Sequence, residues 1–161
     1  MSKHWAGGLC LKDLDTGKPV SILLVCEPTE DRRDEKDAWR WSLPGGKCCD
    51  HKIGESACCQ ELPVETLKRE LREETGFEVE PIELLLQEEK VNRLDGRKHQ
   101  RFVFSVRVVG GESLRKKAFN QESPQWFPLA KLPRNLFPSH LKIIRDSVLY
   151  LVKKGATLSR P

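Results

Sequence analysis

The 161-residue chain has little that would commit it to a membrane, to an oxidising compartment or to nucleic acid. Nowhere do 18 apolar residues follow one another, so no membrane-spanning helix is expected. The N-terminus, "MSKHWAGGLCLKDL", has no apolar core of the secretory kind, and six cysteines without such a leader are expected to be reduced thiols. A cytoplasmic address is the resulting expectation. Charge of one sign is scarce too. The 28 basic residues interleave with 24 acidic ones, and the net +4 is too mild to demand a nucleic-acid partner, though it suits anionic substrates. Internal repeats and low-complexity tracts are absent. The length fits one domain over 1–161 with a core of its own.

What is present alternates strand and helix signals. Val20 to Glu27, "VSILLVCE", is a short apolar run rich in β-branched residues, hence a buried strand. "WRWSLP", Trp39 to Pro44, is a second short strand, stopped by the Pro44-Gly45-Gly46 turn. "EVEPIELLLQEEKV" and "RFVFSVRVV" flank Asp95-Gly96 and predict a β-hairpin. "QWFPLAKLP" predicts one more extended piece. From Pro138 to Gly155 the spacing of Leu141, Ile144, Val148 and Leu151 predicts a closing helix that stops at the glycine. Two helices among strands imply a mixed α/β layered domain.

The segment "ELPVETLKRELREETG" carries the chemistry. Pro63 suits a first helical turn and Gly76 a C-terminal stop. At 100° per residue, Val64, Leu67 and Leu71 form one stripe, with Glu70, Glu73 and Glu74 in an arc beside it. Three carboxylates so placed repel one another by a few tenths of a kcal/mol per pair. A solvated acidic face would explain them. A hard divalent cation would reverse the penalty, because Mg²⁺ and Mn²⁺ favour oxygen ligands and keep water for substrate phosphates. Gly45 and Gly46, lacking Cβ, would let a backbone carbonyl approach the same ion.

Glu61, seven positions, then Arg69-Glu70-Leu71-Arg72-Glu73-Glu74-Thr75-Gly76-Phe77 resembles the Nudix hydrolase signature, G-x5-E-x7-R-E-U-x-E-E-x-G-U with U apolar. "WSLPGGK" and "QWFPLAKLP" resemble the flanks, so the likeness runs from about Trp5 to Leu151. It implies a Nudix fold, an α/β/α sandwich with a mixed central sheet. Glu70, Glu73, Glu74 and the Gly45 carbonyl would then hold Mg²⁺ or Mn²⁺. Glu61 and Arg69 would brace the loop against the helix, with Leu71 and Phe77 in the core. The implied reaction is attack of water on a diphosphate linked to a nucleoside, with cations polarising the phosphoryl oxygens. Glu73 or Glu74 would orient or deprotonate that water. In some relatives a later loop supplies the base, which makes Glu122 a candidate, with Glu88, Glu89 and Glu112 behind it.

The chain departs from this pattern in one place. Gly46 precedes Glu61 by fifteen positions where the signature has six. The insertion, at about 48–59, holds Cys48, Cys49, His51, Cys58 and Cys59, and Gly54-Glu55 makes Glu55 a rival to Glu61. The cysteines and histidine could bind zinc or act in redox chemistry, though adjacent pairs are not the usual C-x2-C. Cys10 and Cys26 are expected in the core.

The substrate markers are sparse. Tyr150, near the end, is the one tyrosine, so the tyrosine of diadenosine polyphosphate hydrolases is missing, and Arg93 stands where ADP-ribose hydrolases carry proline, so neither sub-family finds a match. A (deoxy)nucleoside triphosphate or related small nucleotide remains, with Lys47, Arg101, Trp126 and His140 as candidate substrate contacts. An RNA 5′-end pyrophosphohydrolase and a non-catalytic Nudix-fold binding module are the alternatives.

Overall fold

The computed structural model describes residues 3–28, 39–48, 60–91, 96–115 and 123–158. Among the described residues seven strands form one sheet. They are β1 (His4–Lys12), β2 (Ser21–Pro28), β3 (Trp39–Ser42), β4 (Gly45–Lys47), β5 (Phe77–Val91), β6 (Lys98–Gly111) and β7 (Gln125–Pro128). Along the sheet the order is β3-β2-β1-β6-β5, with β4 beside β1 and β7 beside β2. β1 and β6 run parallel and the other pairs antiparallel, so the sheet is mixed.

Two helices, α1 (Pro63–Thr75) and α2 (Pro138–Leu158), cover opposite faces. The sequence explains this through the two-residue period of its strands. Leu9, Ile22, Leu24, Cys26 and Val103 turn to one side, where they meet Ile143 and Ile144 of α2. Ala6, Cys10, Leu23, Phe104 and Val106 turn to the other, against Leu67 and Leu71 of α1. The expected α/β/α sandwich is thus found. Leu67 and Leu71 are wholly buried, at about 2–3 kcal/mol each. That far exceeds the tenths of a kcal/mol by which neighbouring glutamates repel on the helix.

Three expectations are corrected. The Pro44-Gly45-Gly46 turn continues as β4, whose residues pair with Trp5–Gly7 of β1. "QWFPLAKLP" is extended only to Pro128 and then makes a 3-10 turn over Leu129–Lys131. α2 runs through Gly155 to Leu158, because a glycine costs a helix about 1 kcal/mol and need not stop it. The β5–β6 hairpin forms and is longer than the apolar runs suggest. Cross-strand ion pairs such as Lys98–Glu89 at 2.9 Å and Arg101–Glu88 extend its polar end. Asp95 of its turn lies outside the described residues. No helix among the described residues is long and apolar enough to cross a membrane.

Candidate active site

α1 begins sharply. Pro63 occupies its first turn, and the Glu65 carboxylate accepts from the Leu62 N–H at 2.7 Å. It ends on Gly76, whose φ of 80° is left-handed and whose N–H donates to the Arg72 carbonyl at 3.0 Å. The stripe of Leu67 and Leu71 fixes the rotation of this helix on the sheet. Rotation in turn sets where the glutamates stand: Glu70 is buried, Glu74 half-buried and Glu73 half-exposed at 52%.

Arg69 gathers the box. Its Nε and Nη2 donate to the two oxygens of Glu61 at 2.8 and 3.0 Å, a bidentate pair. Nη1 donates to Glu70 at 2.7 Å and to Glu73 at 3.2 Å. Nη2 also reaches the Lys47 carbonyl at 3.0 Å, which ties β4 to α1. The flanking carboxylates Glu61 and Glu70 push the guanidinium pKa further up, so Arg69 stays charged. Glu61 is held from behind as well. The Thr66 hydroxyl donates to it at 2.9 Å and meets His4 Nε2 at 2.8 Å, and both Thr66 and His4 are buried. Glu61 is thus tied to both Arg69 and Thr66, and its rival Glu55 lies outside the described residues.

Glu74 belongs to a second group. Its carboxylate accepts from the Gly45 N–H at 2.8 Å, and the Glu27 carboxyl of β2 is within hydrogen-bonding reach of it. Burial, then the adjacent Glu27, hold the Glu74 pKa well above the usual carboxylate range. Gly45 is sterically required, and Gly46 leaves the space that the Glu70 carboxylate fills. A Cβ on Gly45 would stand 2.5 Å from the Ala6 carbonyl oxygen, and one on Gly46 would stand 2.3–2.6 Å from the Glu70 carboxylate. Gly46→Ala is therefore expected to displace Glu70 and lower both melting temperature and any hydrolytic activity. A variant equal to the parent in both would show that the carboxylate has room to yield.

The donor set fits a hard cation: four carboxylates on two elements, with the glycine backbone against them. As the side chains lie, no three His, Cys, Asp or Glu among the described residues are grouped closely enough to hold a metal ion. Glu70 and Glu73 are turned towards Arg69, and Glu74 towards Glu27. The sequence reading missed Glu27, Thr66 and His4. For Glu27 the signal was present, since an acidic residue ending an apolar strand falls on the face of Leu23 and Val25.

The candidate substrate contacts do not converge. Arg101 is buried, pairs with Glu88, and lines a cavity of about 340 Å³ between α2 and the β5–β6 hairpin, together with Ser139. Trp126 lines a different cavity, of about 630 Å³, with Lys12 Nζ 5.6 Å from its ring centroid. Lys47 contributes its carbonyl to Arg69, and its side chain is exposed. A third groove, of about 550 Å³, contains Glu73, Arg69, Lys68 and Arg72.

His140 is a structural acceptor. Its Nδ1 accepts from the Leu43 N–H at 3.0 Å, and its ring packs between Trp5 and Phe137. Burial, and secondarily Arg101, lower its pKa to about 4 from 6.5. Between those two values the unfolded chain binds the proton and the native one does not, so stability falls as pH drops through that window. Thermal unfolding from pH 7 to 4 should show a shallower acid loss for His140→Gln, which keeps an acceptor without titrating; an identical slope would remove His140 as a cause.

Glu122, Cys49, His51, Cys58 and Cys59 lie outside the described residues. Cys48 is buried, its Sγ accepting from the His4 N–H at 3.3 Å. Cys10 and Cys26 are in the core as expected, with burial pushing the Cys10 thiol up to about 12.

The NUDIX domain family matches residues 4–147. A mouse protein described as 8-oxo-dGDP phosphatase NUDT18 is 36% identical over 118 residues, 72% of this chain and 30% of that protein. The human protein of the same description is 35% identical over 117 residues, 71% of this chain and 30% of that protein. The match thus spans 30% of the length of these relatives. Among solved structures, a NUDIX hydrolase from Nitrosomonas europaea superposes with a TM-score of 0.63 at 21% identity, covering 93% of this chain and 90% of the other. A MutT NUDIX hydrolase from Burkholderia pseudomallei does so at 0.61 and 24%, covering 91% and 98%. At these identities the structural likeness establishes the fold.

Proposed function

Because the chain belongs to the Nudix family, we propose that it is a divalent-cation-dependent hydrolase that splits the diphosphate linkage of a nucleoside diphosphate derivative. The favoured substrates are small nucleotides, (deoxy)nucleoside di- and triphosphates, with oxidised guanine nucleotides first because of the mouse and human relatives. The observation that carries this reading is the Arg69 clamp. One guanidinium holds Glu61, Glu70 and Glu73 together against the β4 backbone. A chain using these glutamates only as a solvated surface has no need of so ordered an arrangement.

Members of this family generally use divalent metal ions. Here Glu70, Glu73, Glu74 and the Gly45 carbonyl would hold Mg²⁺ or Mn²⁺, which supplies charge to the phosphoryl oxygens and a more acidic bound water. Glu73, the most exposed of the box glutamates, is best placed to receive a proton from water at the rim of the α1–β5 groove. Arg69 holds Glu70 and Glu73 in register through its hydrogen bonds to both. Lys68 and Arg72, on the same groove, offer positive charge to the phosphate chain. Ser139 and Arg101 line a cavity that a base or sugar could enter.

The test is a panel of normal and oxidised nucleoside di- and triphosphates with Mg²⁺ or Mn²⁺, read by release of phosphate or pyrophosphate. Hydrolysis that is lost in Glu73→Gln is expected. Cleavage by the variant at the parental rate would overturn the site, and no cleavage of any member would favour a binding module.

A further inference from the structure

Glu27 stands outside the Nudix box, on a strand that the signature does not describe. Its position follows from the sheet. Along β2, Leu23 packs on the α1 side of the sheet while Ile22, Leu24 and Cys26 pack on the α2 side. Glu27, four residues from Leu23, therefore shares the face of α1, where its carboxyl meets that of Glu74.

The neighbouring strand adds an independent observation. Trp41 and Leu43 of the β3–β4 segment pack on the α2 side, so Ser42 between them points to the α1 side. Ser42 pairs with Val25, two register steps from the Glu27–Arg40 pair and so on the same face as Glu27. It is 1% exposed, and among the described residues its Oγ is the buried side-chain polar atom with no hydrogen-bond partner. A buried hydroxyl normally finds a partner, since leaving it unsatisfied costs on the order of 1–3 kcal/mol. Two facing carboxyls and an unspent hydroxyl on one patch of sheet suit a hydrated cation, which offers positive charge and water at once.

We propose that Glu27 is a further cation-binding residue of this site, paired with Glu74 across the sheet–helix junction, with Ser42 held ready for the ion's water. The inference rests on the hydrolase reading for the presence of a cation, and it adds a ligand that the family signature does not contain. It also divides the work. Arg69 is committed to Glu61, Glu70 and Glu73, and none of its described hydrogen bonds goes to Glu27 or Glu74.

Calorimetric titration of metal-free protein with Mn²⁺, for the parent and Glu27→Gln, tests it. The variant should bind Mn²⁺ about 10- to 100-fold more weakly, while its melting temperature in chelator stays level or rises. A folded variant that matches the parental Mn²⁺ affinity overturns the proposal and leaves the hydrolase reading intact. A parent that binds no Mn²⁺ overturns both. Should Glu27→Gln fail to fold, carbodiimide labelling of the parent, mapped by mass spectrometry, replaces it. Saturating Mn²⁺ is then expected to protect Glu27 while leaving the exposed Glu80 labelled, and undiminished labelling of Glu27 overturns the proposal.

Discussion

Glu74→Gln is expected to lose hydrolysis by about 10²–10⁴-fold and yet to be more stable than the parent when metal is removed. The two effects have one cause. Glu74 is held where its charge is costly, desolvated and facing Glu27, and its pKa is raised well above 4.5 for those reasons in that order. Between the unfolded value and the raised one, native protein binds a proton that the unfolded chain has released. Native stability of the metal-free parent therefore falls as pH rises through that window. Glutamine keeps an oxygen for the Gly45 N–H and carries no charge, so this loss disappears. Calorimetric unfolding in chelator from about pH 5 to 8 should give a flatter profile for the variant than for the parent. Added Mn²⁺ should stabilise the parent more than the variant, because only the parent gains the full ligand set. A variant as active as the parent, or one with the parental pH slope, would detach Glu74 from this role. Such an exchange of stability for activity is what a site built to receive a cation should show.

How far the sequence went in announcing this site depended on the range of the contacts. Helix α1 was readable because its signals are local: Pro63, Gly76, and a Leu67–Leu71 stripe that one period of the helix brings together. The carboxylate arc was readable for the same reason. β2, the hairpin and α2 were also written in periodic runs. β4 was read as a turn, since three residues of "GGK" carry no alternation; they become a strand only because β1 pairs with them. Residue contacts across long separations were not readable. Glu27 meets Glu74 forty-seven positions later, and His4 reaches Glu61 through Thr66. The substrate contacts were chosen for chemical type, and side-chain type does not say which face of a sheet a residue uses. His140 illustrates this, its imidazole turned inward to accept from Leu43.

The second large effect concerns Arg69, and it should exceed what a surface ion pair can give. Arg69 and Glu61 are both mostly buried, at 18% and 19% exposure, and the Glu70 side chain is 6% exposed. Exposed pairs contribute about 0–1 kcal/mol, so the contact to half-exposed Glu73 can be set aside. Removing one partner of a buried pair costs on the order of 3–5 kcal/mol, and partial exposure here reduces that to about 2–4 for Arg69→Ala. For a domain of this size the melting temperature should then drop by about 5–15 °C in chelator. Arg69→Lys is the sharper variant, because it keeps the charge and loses the fork. One ammonium cannot reproduce the bidentate bonds to Glu61 and also reach Glu70 and the Lys47 carbonyl. Lysine should therefore recover only part of the stability and little of the activity, since β4 and its glycines lose their tie to α1. Mn²⁺ should rescue the alanine variant in part, by supplying positive charge to Glu70 from the other side. If lysine restored both melting temperature and hydrolysis to parental levels, charge alone would be what the box requires at this position. The five-bond geometry of Arg69 would then be incidental to the site.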